Sequence, residues 1–587
     1  GRESQTVSVA KRRLCFAGFF SVLAVMMTWP MLIEPGALYS TRQDYFLGAW
    51  NLWWVAQAAT DASLSIFHTS MLYFPFGTGL EVQPLTLPQT LAAIPFTLWF
   101  GPLVAQNLLI VFSFAFAGWA AATWIFAIAE SEASALVGGT VFAFAPYHYV
   151  YLSELNLVSV GFIPLYFLAT HSLKRDPSLN RAAVAGIALA AVGLSSWYYG
   201  VAVGLAALVL SAYRLASANP DARSPQIKLE VMHWGACVLA LAPVVARMLP
   251  GFLRPIDTEA AAKIGMSSAG MSFLMESFKG THTEFALWSY VGVVALALAA
   301  MGIRPLRRSG PWLALLAIFF VLSCGERAVI GSFELPLPWA WLQVLPVVGL
   351  VRFPDRFFVL VQLGVAILAA FGMNRVRERA VTVGGRLGAG ALALILLLLE
   401  FWPGTLPSLP PPEMPSLAEA SSSTTTSAKP PGGVFNIPTR FRHLDGELMY
   451  RQLAHGRPIA GGYLTRRELN FDQGYRNNPV LDWLLAPEPN STPENVSRAL
   501  AESGFAYVVV HKRPLHEGAR TKPHRIFGAF SMGSGEFLAK RLFPRYRRHG
   551  LEESVSSAWL AALHSELGEP ISDTETLAVF RVPESTR

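Results

Sequence analysis

Long apolar runs, broken by short and mostly basic stretches, organise the first 403 residues. Runs of about 16 to 25 residues with few charges predict membrane-crossing helices. They lie near 14–33, 104–128, 133–149, 156–173, 181–196, 198–214, 230–249, 286–303, 311–324, 357–373 and 386–403. The run 86–100 is shorter and carries Pro88 and Pro95. If it crossed, every later basic loop would change sides, so it is expected to be re-entrant or interfacial. Lys11, Arg12 and Arg13 then share the cytoplasmic side with Lys174, Arg175 and Arg181. Arg214, Arg223 and Lys228, then Arg304, Arg307 and Arg308, then Arg375, Arg377, Arg379 and Arg386 join them, as the positive-inside rule requires. The expectation is a polytopic α-helical membrane domain over 1–403 with about eleven transmembrane helices. Its N-terminus is cytoplasmic and its first outer loop runs over 34–103. No small-residue cleavage site precedes Pro30, so the first span is read as uncleaved.

The pattern changes after Trp402. Residues 404–433 are rich in Pro, Ser and Thr and read as a linker. From 434 to 587 the sequence is that of an ordinary globular chain. Val434–Pro438, Phe505–Val510 and Thr576–Val582 read as strands, and Asn495–Ser503 and Ser554–Leu567 as helices. A small C-terminal α/β extracytoplasmic domain is expected, and the loops 250–285 and 325–356 face the same side.

Composition agrees with the pattern. Of 587 residues, 53% are hydrophobic and 14% charged, against roughly 25% charged in soluble domains. Mean hydropathy is +0.40. The net charge of +7 is explained by orientation signals in short loops, so it does not point to nucleic acid. Cys15, Cys237 and Cys324 all fall in apolar segments, so no disulfide stabilises the C-terminal region. No phosphate-binding loop, dinucleotide fingerprint, zinc-protease helix or nucleophile elbow is present.

The candidate chemistry lies on the outer side. Asp44 precedes Trp50, Trp53, Trp54 and Ala58, an i, i+3, i+4, i+8 set interrupted by Gln57. Such a helix is expected along the bilayer surface with its tryptophans at headgroup depth. Asp44 would then be either its N-cap or a catalytic carboxylate. Glu154 is the second acid singled out. It reads as an acceptor-orienting or metal-holding group, or as a solvated interfacial acid. Arg352 and Arg356, four apart, suit either a phosphate or an anchor to lipid headgroups or to the C-terminal domain. His148 reads as a general acid or ligand, or as a hydrogen-bonded interfacial side chain. His455-Gly456-Arg457-Pro458 reads as a turn.

With these residues in place, the layout resembles the GT-C class of membrane glycosyltransferases, and within it a bacterial group of integral membrane proteins. The matching segments are Asp44 with Trp50–Trp54, Leu72-Tyr73-Phe74-Pro75, Phe144-Ala145-Pro146-Tyr147-His148, Glu154 in Tyr151–Asn156, and Arg352–Arg356. The resemblance covers most of the chain, least in 404–433 and after 515. It implies a catalytic Asp44 acting as base, with Glu154 and His148 nearby and Arg352 and Arg356 at the donor phosphate. The implied donor is a polyprenyl-phosphate-linked hexose or pentose, the acceptor a glycan, lipid or protein, and the location the bacterial cytoplasmic membrane. A divalent cation is a candidate cofactor, and membrane lipids are partners. Two departures stand out. Asp44 is followed by Tyr45, so the Asp-Glu pair of protein mannosyltransferases is absent. Trp53-Trp54 is followed by Val55-Ala56, so the oligosaccharyltransferase Trp-Trp-Asp signature is absent. The rival reading is a non-enzymatic lipid or glycan transporter, or an envelope-polymer assembly partner. Such proteins usually bury charge near the midplane, whereas the acids here cluster at one face.

Overall fold

The computed structural model describes residues 2–253, 290–330, 333–345, 348–351, 353–411, 417, 432–437, 445–464, 474–475, 477–485, 494–512 and 553–583. Arg352, the loop 250–285 from residue 254 on, and most of the linker 404–433 lie outside them.

The molecule is a multi-pass membrane protein. Among the described residues, seven helices are long and apolar enough to cross a bilayer: Pro102–Ala129, Leu155–Arg175, Trp197–Ala216, Pro220–Leu249, Leu306–Ser323, Pro354–Arg379 and Val383–Phe401. Leu179–Ser195 and Val293–Gly302 are apolar but shorter. Two successive spans show how differently apolar sequence is used. The Pro354–Arg379 span is 94% buried inside the protein, whereas Val383–Phe401 is 17% buried and turns its leucines outward. The buried helix meets Val293–Gly302 at paired glycines. A Cβ on Gly302 would sit 1.9 Å from the Leu368 carbonyl oxygen, and one on Gly372 1.8 Å from that of Leu298. Small residues here let two backbones touch.

Residues 87–100 form two short helices, Leu87–Ala92 and Ile94–Phe100, each opened by a proline in its first turn. Neither is long enough to cross. The helix Pro102–Ala129 begins directly after them, following Gly101 at φ +84°.

The C-terminal strands form close to the expected positions. Gly433–Ile437 runs parallel to Phe505–His511, which pairs antiparallel with Leu577–Arg581, and Ser572–Asp573 closes the sheet. Alternation gives it two apolar faces. Phe435, Ile437, Val508, Val510 and Phe580 pack on Leu481, Leu484, Trp559 and Leu563. Val434, Tyr507, Val509 and Val579 pack on Leu47, Trp50, Trp54, Leu72 and Tyr73 of the first loop.

That second contact corrects the expectation of a surface-lying tryptophan helix. The helix Gln43–Thr60 buries Trp50 and Trp54, at 0% and 2% exposure, against the C-terminal sheet rather than lipid headgroups. Trp50 donates its indole N–H to Gln452 Oε1 at 2.8 Å. Burying so large a ring is favourable when its N–H finds an acceptor, and the C-terminal helix Asp445–His455 supplies it.

Candidate functional site

Asp44 lies in the first turn of the tryptophan helix. It is not the N-cap, because the helix follows Arg42 and carries no side-chain cap. Three ties fix this end of the helix. Tyr45 donates its hydroxyl to Asn107 Oδ1 at 2.6 Å. Gln106 donates to the Tyr45 carbonyl at 3.0 Å. Gln43 Oε1 accepts the Gly446 N–H at 2.7 Å. A Cβ on Gly48 would collide with Gln106 Oε1 at 2.2 Å, so glycine lets this helix close on Pro102–Ala129.

Around Asp44 the chain gathers charge from distant segments. Tyr463, beyond the C-terminal helix, donates its hydroxyl to Asp44 Oδ1 at 3.1 Å. Glu154 follows the short helix Pro146–Val150 and accepts from Arg356 Nη2 at 2.9 Å. The two side chains of that pair are 11% and 12% exposed. Arg356 is also stacked, with its guanidinium carbon 4.2 Å from the Tyr198 ring centre and 4.7 Å from that of Phe353. Neighbouring Asp355 accepts the Tyr151 hydroxyl at 2.9 Å. Tyr147 donates to the Arg356 carbonyl at 3.2 Å and meets the Tyr199 hydroxyl at 3.2 Å. Tyr199 donates to the Leu157 carbonyl at 2.8 Å. This tyrosine lattice holds the turn Pro354–Phe357 against the Glu154 loop.

The electrostatics follow from that assembly. Burial pushes the Asp44 carboxyl up to about 6, and the charge of Glu154 adds to the rise. Arg42, Arg356 and the Tyr463 hydroxyl oppose it. Asp44 is nevertheless half-buried rather than closed off from solvent. A desolvated yet reachable carboxylate with its titration near neutrality is suited to accept a proton.

The structure thus brings Asp44, Glu154 and Arg356 into one electrostatic neighbourhood. His148 stands beside it, buried, with Nε2 on the Phe142 carbonyl oxygen at 2.9 Å and its ring edge-on to Tyr147 at 5.4 Å. Its contact with the group runs through Tyr147. Arg352 lies outside the described residues. Asp355, Tyr198 and above all Tyr463 join the neighbourhood without having been singled out from sequence. Nothing local could have marked Tyr463, which follows two glycines and stands 419 residues from Asp44. Arg42 is a further cation here, and its Nε, like that of Arg356, has no hydrogen-bond partner among the described residues. Among those residues no three His, Cys, Asp or Glu side chains converge as a metal site needs. The acids here each meet a partner, Asp44 with Tyr463, Glu154 with Arg356 and Asp355 with Tyr151.

No family model matches the sequence, and no curated protein matches it. Among solved structures, the chain is similar to the arabinofuranosyltransferase AftD from Mycobacteria. The TM-score is 0.53 at 16% identity, over 85% of this chain and 35% of that one. A second structure, of a mutant of the same enzyme, gives a TM-score of 0.52 at 15% identity, over 86% and 36%. The chain therefore spans about a third of the length of that arabinofuranosyltransferase. At this identity the likeness is one of fold, and it agrees with the GT-C resemblance carried by the motifs.

Proposed function

We propose that the chain is a membrane glycosyltransferase acting at the outer face of the bacterial cytoplasmic membrane. It would move a hexosyl or pentosyl unit from a polyprenyl-phosphate carrier to a glycan, lipid or protein acceptor. Asp44 removes the proton from an acceptor hydroxyl as that oxygen forms a bond to the sugar's anomeric carbon. The bond from that carbon to the carrier phosphate breaks, and the phosphate leaves with the electron pair. Configuration inverts. Arg356, with Arg352 four residues earlier in the sequence, holds the developing phosphate charge. Glu154 fixes Arg356 and orients the acceptor. His148 supports the lattice through Tyr147 and takes no proton in this scheme.

One observation carries the reading: Asp44, raised to about 6 by burial and by Glu154 yet still reachable, on a fold shared with a glycosyltransferase. The test uses the full chain in nanodiscs with a panel of polyprenyl-phosphate sugars and membrane-extract acceptors. Release of polyprenyl phosphate is expected, and Asp44→Asn should lower it by about 10² to 10⁴-fold while the protein stays folded. Full activity in that variant would sink the mechanism. Failure to consume any carrier, with movement of a lipid-linked glycan across the bilayer instead, would favour the transport reading.

A further inference from the structure

Tyr463 is held in place from several sides. The loop of residues 71–74 and the segment 459–462 are laced by main-chain bonds. Ile459 N–H donates to the Met71 carbonyl at 2.9 Å, Phe74 N–H to the Ile459 carbonyl at 3.0 Å, and Tyr73 N–H to the Gly461 carbonyl at 3.0 Å. The Tyr73 hydroxyl donates to the Gly462 carbonyl at 2.6 Å. Gly462, at φ +145°, takes a backbone conformation open to glycine and strained for other residues. Next along the chain, the Tyr463 N–H lies 3.0 Å from Met449 Sδ, and its carbonyl accepts from Gln83 Nε2 at 3.3 Å. A backbone fixed at this many points aims the phenol at Asp44 Oδ1.

We infer that Tyr463 is a positioning residue for Asp44, supplied by the C-terminal half. Its hydroxyl holds one carboxylate oxygen and stabilises the charged form, leaving the other oxygen for the acceptor. Its effect on turnover rests on the transferase reading, but its effect on Asp44 does not.

Among the described residues, the groups that act most on Asp44 can be named. Arg42 comes from the preceding extended segment, Glu154 from the loop before Leu155, Arg356 from the turn before the buried span, and Tyr463 from the C-terminal half. The helix Asp445–His455, packed along the tryptophan helix, carries the titratable groups Asp445, Tyr450 and His455. It also adds Glu447 and Arg451, which pair with each other at 2.8 Å. Of all these, Tyr463 is the one that donates a hydrogen bond to Asp44. A hydrogen bond to the charged form of an acid favours ionisation.

The experiment follows Asp44 directly. In isotope-edited infrared titrations of the full chain, the band of its protonated carboxyl is the one absent from Asp44→Asn. Tyr463→Phe removes the donor and should move that titration up by about one unit. Difluorotyrosine at 463 keeps the shape, is a stronger donor, and should move it down. In the transfer assay the acid limb of the rate profile should follow both shifts. An unchanged Asp44 band in both variants, with Tyr463→Phe lowering only the melting temperature, would make Tyr463 a structural clamp and overturn the inference. If Asp44→Asn leaves transfer intact while the band still moves with Tyr463, the transferase reading falls and the pairing stands.

Discussion

Two carboxylates, the buried Glu230 and the half-buried Asp44, are built in opposite ways. Glu230 sits between the helices Trp197–Ala216 and Pro220–Leu253, and its partners are close in sequence. Arg214 Nε reaches its Oε1 at 2.7 Å and Arg214 Nη2 its Oε2 at 3.1 Å. Gln226 adds a bond at 2.8 Å. Arg214 is further held by Ser211 at 3.2 Å. Both charges are thereby closed on each other. Among the described residues Asp44 accepts one hydrogen bond, from Tyr463, and feels the charges of residues 42, 154 and 356. Within its neighbourhood, Asp44, Glu154 and Asp355 face Arg42 and Arg356 among the described residues, an excess of acid. A closed pair serves the fold. An acid whose neighbours come from distant segments, with its titration raised toward neutrality, has the character that the proposed proton transfer needs.

The largest expected effect breaks the closed pair. Arg214→Leu leaves Glu230, whose side chain is 7% exposed, without its cation. Removing one partner of such a pair costs about 3 kcal/mol, read as a lower melting temperature in detergent. Arg214→Leu with Glu230→Leu should recover most of that loss. Equal loss in the single and double variants would mean that packing, not charge closure, holds this region.

The same measurement at Asp44 should have the opposite sign. Its folded titration lies near 6 against an ordinary value of 3.8. The folded state therefore binds the proton more tightly than the unfolded state, and stability is lost as pH rises from about 4 through about 6. Asp44→Asn removes this penalty. It should be more stable than the parent by on the order of 2 kcal/mol above that window, with the difference vanishing well below the unfolded value of 3.8. A variant less stable at every pH would show that Asp44 is held for the fold, as Glu230 is.

Much of the membrane part was legible because lipid imposes a simple rule on sequence. Long apolar runs gave helices near the expected spans, and Pro88 and Pro95 marked a segment that breaks into two short helices. Asp44, Glu154 and Arg356 were legible as candidates because charged residues are scarce and stand at the ends of apolar runs. The covering of the tryptophans was not legible. An apolar face looks the same in sequence whether lipid or a β-sheet buries it, and the sheet that covers Trp50 begins at Gly433. Tyr463 was hidden for a related reason, since its role depends on strand-like pairing between residues 71–74 and 459–462. His148 shows the limit of residue type, because sequence left it as either a general acid or ligand or a hydrogen-bonded side chain, and only the structure shows its Nε2 on the Phe142 carbonyl oxygen and its ring edge-on to Phe114, Phe142 and Tyr147.

The smallest effect sharpens the comparison most. Glu154→Gln removes a negative charge that raises Asp44 and also releases Arg356, whose positive charge lowers it. Both changes act in the same direction, so the Asp44 titration should fall below about 6, by roughly half a unit to one unit. The acid limb of transfer should shift with it. The alkaline plateau should fall independently if Glu154 also orients the acceptor. Glu230→Gln, far from Asp44 in its own closed pair, should leave the Asp44 titration unmoved. If both substitutions shift Asp44 equally, the two regions are coupled through the bundle. If neither does, Glu154 and Arg356 act as an ion pair of the fold, and the open character of the Asp44 site reduces to Asp44 and Tyr463 alone.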